Sequence, residues 1–217
     1  MNKKQNNMYK IMIIFSFIIG CTALVGDYVV FKSKMANSFA FRAVSDSFVH
    51  ASLGFLSSIL FFKSGVSVTS QARLYNILFC TIISSLIDID HVFVAKSLAL
   101  KDYTHLRQRG IFHCTTFWII ITSTLLAYSS LARKLNIYVL TWMLTLAFTS
   151  HHLRDANRRG LWMYPFGHTP PIPKYLYVAL VSILPIILNI IRFVIYQNFS
   201  IVNYCCSNLI LIDDPVA

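Results

Sequence analysis

Three short stretches of this chain put a carboxylate beside or within one helical turn of an imidazole, inside a strongly apolar sequence, and a fourth adds a lone imidazole. Asp46 and His50 lie in SDSFVH; Asp88, Asp90 and His91 form DIDH; His113 ends RGIFH; His151 and Asp155 frame SHHLRD. His and Asp are the side chains that bind a catalytic divalent metal, zinc above all. An ionisable group at membrane depth is expensive and marks a functional site by default. Asp46 and His50 are four apart, as are His151 and Asp155, and Asp88 and His91 are three apart, so each pair shares a helix face. Such pairs on facing helices are how bundles build metal sites in their cores.

These residues need elements to hold them, and composition says which. The chain has 217 residues, 56% hydrophobic and only 12% charged, against about a quarter charged in soluble domains. It belongs in a bilayer and fits one integral membrane domain, residues 1–217. All eight acids are Asp, and the formal charge is +11. The bases lie between apolar runs, so anionic lipid headgroups and topology explain them and nucleic acid does not. Five cysteines match neither a disulfide framework nor a zinc ribbon. The adjacent Cys205 and Cys206 are a possible palmitoylation site.

Apolar runs predict an all-α polytopic membrane helical bundle of about six transmembrane helices, over 11–31, 46–62, 74–95, 111–131, 136–153 and 175–197. The first run is too long for a signal peptide and reads as a retained helix. Residues 154–174 read as a loop, stiffened by Pro170, Pro171 and Pro173, with Trp162 and Phe166 as interface anchors. Residues 198–217 read as a short tail, in which the Asn198 sequon lies too near the last run for glycosylation. If the helices alternate in direction, all four His/Asp stretches fall at one membrane face. Eleven of the 19 Lys and Arg belong to loops on that face. The positive-inside rule then points it to the cytoplasm, with both termini opposite.

From the residues alone, His50, Asp90, His91, His113, His151 and Asp155 are the expected metal ligands. Asp88 is expected to orient a ligand or act as general base. Arg154 and Arg158 are expected to hold a phosphate. His152 points about 100° away from His151 and reads as structural. His105 and His168 read as solvated, and Asp27 as a helix-end residue or the partner of a loop arginine. The third helix is expected to end near His91, with Asp90 turned toward His113 or His151.

The stretch SHHLRDANRRGLWMYPFGHTPPIP closely resembles the signature of the transmembrane protein 267 family, a eukaryotic multi-pass family without an established activity. The likeness extends through AVSDSFVHASLG, SSLIDIDHVFVAKSLALK and RGIFHCTT, a motif-bearing core of about residues 42–180. More distantly, His50, Asp88, Asp90, His91, His113, His151 and Asp155 match a bacterial inner-membrane family described as metal-dependent hydrolases and as LexA-binding. This chain departs from that pattern at Ile87, Gln108 and Cys114, none of them a candidate ligand. The resemblance implies a multi-pass membrane protein, in an endomembrane, hydrolysing a lipid or lipid-linked phosphoester with a divalent metal. Two other functions fit the same residues. One is a non-catalytic membrane protein with a structural metal site or none. The other is a transporter of metal ions or protons, although the polar groups gather at one face and trace no path across.

Overall fold

The computed structural model describes residues 3–63, 66, 68–96 and 109–210. His105, Arg107 and Gln108 lie outside the described residues, as do the side chains of Asn198, Cys205 and Cys206. The helices are α1 (Lys3–Lys32), α2 (Phe39–Lys63), α3 (Ser70–Leu86), α4 (Asp90–Ala95), α5 (Thr115–Leu131), α6 (Leu135–Arg159) and α7 (Lys174–Ile210). The chain is therefore an all-α bundle, as its apolar runs dictate, because a helix satisfies its backbone within one segment in lipid.

α6 sits in the middle and packs against α2, α3, α5 and α7, while α1 lies against α2 and α7. One core gathers Phe61, Cys80, Trp142, Met143, Leu146 and Leu184 from α2, α3, α6 and α7. A second gathers Ile19, Ala23, Leu53, Leu60, Tyr177 and Val181 from α1, α2 and α7. Large apolar side chains remain exposed outside them, among them Ile13, Phe17, Ile120 and Leu131. Such a surface suits acyl chains and would be a liability in water.

The expected number of spans is corrected. Among the described residues, four helical segments are long and apolar enough to cross a membrane: Gln5–Lys32, Phe39–Lys63, Ser70–Ala95 and Lys174–Ile195. α5 is apolar but has only 17 residues. α6 has 25 residues but ends in HHLRDANRR. The reason is its position: a helix enclosed by four others needs little lipid-facing surface and can carry the polar site.

Two boundaries that matter to the site also differ from the sequence reading. The third segment is broken by a 3-10 turn at Ile87–Ile89, followed by the short α4. α6 runs through Arg159, beyond the expected end at 153, so Arg154, Asp155 and Arg158 are helical. α6 stops at Gly160, whose φ of 69° suits glycine and whose Cα abuts the Thr169 carbonyl. A two-stranded hairpin, β1 (Trp162–Met163) with β2 (Gly167–His168), follows and closes back on the helix. There the Ile172 amide donates to the Ala156 carbonyl at 2.9 Å.

Candidate metal centre

All four His/Asp stretches meet at one end of the bundle. His50 from α2 stacks on His151 from α6 with ring centroids 3.8 Å apart, and His113 lies 5.3 Å from His151. His91 lies 4.8 Å from His113.

The tightest convergence involves four atoms. His151 Nε2 and His113 Nε2 are 3.4 Å apart. Asp88 Oδ1 is 3.4 Å from the first and 3.3 Å from the second. Asp155 Oδ2 is 3.7 Å and 3.5 Å from the same two nitrogens. An ion held tetrahedrally at about 2.0–2.1 Å has donor–donor edges of about 3.3–3.4 Å. The donors are thus spaced as the ligands of a tetrahedral zinc site.

The tautomers agree with that. His151 Nδ1 lies 2.8 Å from the Ser84 carbonyl, which can only accept, so Nδ1 carries the proton. His113 Nδ1 lies 3.1 Å from the buried Asp90 carboxylate, with the same consequence. Each Nε2 then presents a lone pair toward the other and toward two carboxylates. Only a cation or a proton makes that arrangement favourable. Burial pushes the His113 pKa down, but hydrogen bonds to Asp155, Asp88 and Asp90 outweigh it and hold the ring well above its ordinary range. A proton therefore occupies the cluster when no metal does.

The 3-10 turn sets this geometry. It tightens DIDH so that Asp88 faces the cluster while Asp90 stands behind His113, as expected for Asp90. Asp90 also accepts from the Phe112 amide at 3.1 Å and from His91 Nδ1 at 2.9 Å. These are hydrogen-bond lengths, and they make Asp90 an orienting group. The carboxylate fits only because residue 110 is glycine, where a Cβ would overlap the Asp90 side chain. Asp88 thus joins the donors of the cluster, while Asp90, His91 and His113 form a second convergent group beside it. His91 is partly exposed, with Nε2 at 3.9 Å from Asp88 Oδ1.

His50 and Arg154 form a separate network. Arg154 is 2% exposed, its Nη1 2.6 Å from Asp46 Oδ1 and its Nε donating to Asp27 Oδ1 at 3.1 Å. Its Nη1 also donates to His50 Nε2 at 2.8 Å, which occupies the lone pair a metal would need. Tyr177 completes the network by donating to Asp27 Oδ2. Arg154 is therefore a buried strut between α1, α2 and α6, and has no access for a phosphate. Sequence reasoning missed Tyr177; the expected pairing of Asp27 with an arginine of residues 154–174 is met by Arg154, which is helical. His152 turns away, as its helical phase requires, donating to the Phe112 carbonyl at 2.9 Å. His168 is exposed and stacks on Trp162.

A cleft of about 390 Å³ opens over the cluster. Asp88, His91, His113 and Asp155 line its floor. Arg42, Arg109, Arg158 and Arg159 line it as well, with an apolar wall that includes Phe31 and Phe39. Arg158 pairs with Asp155 at 2.5 Å.

No family model and no solved structure matches this chain. Among curated proteins, transmembrane protein 267 of Xenopus laevis is 33% identical over 174 residues, covering 80% of this chain and 79% of its own length. The Mus musculus protein of that name gives the same identity and coverage. The Bos taurus protein is 37% identical over 156 residues, 71% of this chain and 69% of its own length. The chain belongs to the transmembrane protein 267 family and is a multi-pass integral membrane protein.

Proposed function

We propose that this protein is a membrane-embedded, metal-dependent hydrolase of a phosphoester carried by a lipid. The observation that carries the reading is the convergence of four donors, three of them from residues that line an arginine-lined cleft. Asp88, His113, His151 and Asp155 would hold a divalent ion, zinc first. Such an ion supplies Lewis acidity and lowers the pKa of a water bound to it.

The chain's own groups have distinct tasks. Asp90 and the Ser84 carbonyl fix the rings of His113 and His151, as outer-shell partners do in metal sites. His91, with Nδ1 held by Asp90, presents Nε2 at the cleft floor to take or give a proton. Arg158 and its neighbours offer forked donors to phosphate oxygens. Arg154, expected to do so from sequence, instead keeps α6 in register with α1 and α2.

A second reading has support of its own. Four protein donors fill a tetrahedron, which is the habit of structural zinc; catalytic sites keep a position open. Against it, the two imidazoles are buried, at 4% and 0% side-chain exposure, whereas Asp88 and Asp155 are 22% and 18% exposed. The open side of the cluster faces the cleft, where a substrate oxygen would enter. Metal analysis of detergent-purified protein, paired with phosphate release from lipid phosphoesters, tests both. The hydrolase reading expects about one ion per chain and release that is lost in Asp88→Asn. Bound metal without hydrolysis of any lipid phosphoester supports the structural reading, and no metal after metal-replete purification sinks both.

A further inference from the structure

Phe31, at the end of α1, carries more cations than any other ring among the described residues. The guanidinium carbons of Arg158, Arg42 and Arg154 lie 4.5, 5.7 and 6.0 Å from its centroid. Phe31, Arg42 and Arg158 all line the cleft. A cation held over an aromatic face keeps its in-plane N–H donors for another partner. Among the described residues, no ion pair within 4.0 Å joins Arg42 or Arg159 to a carboxylate; those recorded for arginine involve Arg154 and Arg158. The cleft therefore exposes guanidinium donors beyond what Asp46, Asp88 and Asp155 neutralise. Its wall of Val30, Phe31, Phe39 and Ala43 comes from the corner between α1 and α2, two of the membrane-length helices.

We infer that this cleft binds a lipid whose phosphate is terminal: a phosphate monoester on an acylated backbone, without a cationic headgroup. A phosphate monoester carries close to two negative charges at neutral pH, which suits several guanidiniums. A diester carries one, and a choline or ethanolamine group beyond it would set a positive charge among Arg42, Arg109 and Arg159. The apolar wall takes the first carbons of the chains, which a soluble phosphate lacks. The inference rests on the hydrolase reading for making this phosphate the reacting group, but binding is measured separately from turnover.

The test is native mass spectrometry of the full chain in detergent, with four probes: dioleoyl phosphatidic acid, dioleoyl phosphatidylglycerol, dioleoyl phosphatidylcholine and glycerol 3-phosphate. Phosphatidic acid is expected to bind about tenfold more tightly than either diester, and an equal concentration of glycerol 3-phosphate is expected not to displace it. Arg42→Gln/Arg159→Gln should lose about tenfold in that affinity while its thermal unfolding stays at the wild-type temperature. Phe31→Leu, which removes the platform and keeps the apolar volume, should weaken binding in the same direction. Equal binding of phosphatidylglycerol would reveal mere attraction of anions to a basic protein. Displacement by glycerol 3-phosphate would mark a soluble-phosphate site. Wild-type affinity in the double variant would place the lipid elsewhere. Each of these overturns the inference. Selective binding in a protein that carries no metal and releases no phosphate would leave the inference standing while the hydrolase reading fell.

Discussion

Two polar networks lie side by side at one end of the bundle, and they are built to opposite rules. Both take side chains from the same turn of α6: His151 and Asp155 on one side, Arg154 on the other. In the strut, Arg154 meets Asp27 and Asp46, with Tyr177 and His50 filling further valences. Its charges are answered from within. In the cluster, two imidazole lone pairs and two carboxylate oxygens converge. Arg158 answers only the far oxygen of Asp155. The first network joins helices through charge pairs made within it; the second gathers donors that a cation would complete. Charged groups on adjacent residues, Arg154 and Asp155, thus serve different ends, and only their partners reveal which.

Breaking the strut should have the largest effect. Arg154→Met leaves the half-buried Asp27 without its counter-charge and Asp46 with only Arg158 at 3.7 Å, at a cost of about 3 kcal/mol, read as a fall in unfolding temperature or a loss of folded protein. Adding Asp27→Asn and Asp46→Asn should recover part of it. By contrast, Asp88→Asn should cost the metal-free protein less than Arg154→Met does, because Asp90 and Asp155 still face the His113 ring. If both single substitutions destabilise equally, the distinction between the networks collapses.

Metal content separates the cluster from its support. His151→Ala and Asp88→Asn should bring bound metal close to zero. Asp90→Asn, one layer behind, should weaken affinity about 10–100-fold without abolishing it, as titration with a chelator would show. Complete loss in Asp90→Asn would return it to the ligand set expected from sequence. Affinity should also rise with pH. His113 is held above its ordinary pKa in the metal-free state, so the ion must displace a proton there, and lowering pH favours the proton. A flat profile between about pH 6 and 8 would remove the proton from the cluster.

Smaller effects test the packing. Gly110→Ala drives a methyl into the Asp90 carboxylate and should cost about 1–3 kcal/mol, with weaker metal binding as a second readout. His168→Ala, at an exposed position on the hairpin, should change stability by less than about 0.5 kcal/mol and leave metal content unchanged.

Much of this was legible beforehand, for identifiable reasons. The helical class follows from apolar runs that lipid forces into helices, and the gathering of DIDH, RGIFH and SHHLRD at one end follows from alternating direction. The aim of Asp90 toward His113 was readable from helical phase near a helix end. The number of membrane-length helices was not, because hydropathy treats α6 as if lipid surrounded it. The role of Arg154 was not, because an arginine three residues from a histidine looks the same whether it faces a cleft or a carboxylate on another helix. Asp27 and Tyr177 are 150 residues apart, and no local pattern joins them.

The 3-10 turn at Ile87–Ile89 also determines what kind of change this protein can tolerate. Asp88 and Asp90 clasp opposite sides of one imidazole from a single tightened turn. The count of residues between Leu86 and His91 matters alongside their identities. A conservative exchange within DIDH keeps the clasp in phase. One inserted residue would keep every side chain the site uses and rotate one carboxylate about 100° out of reach. The length of this turn is therefore as much a part of the site as its carboxylates.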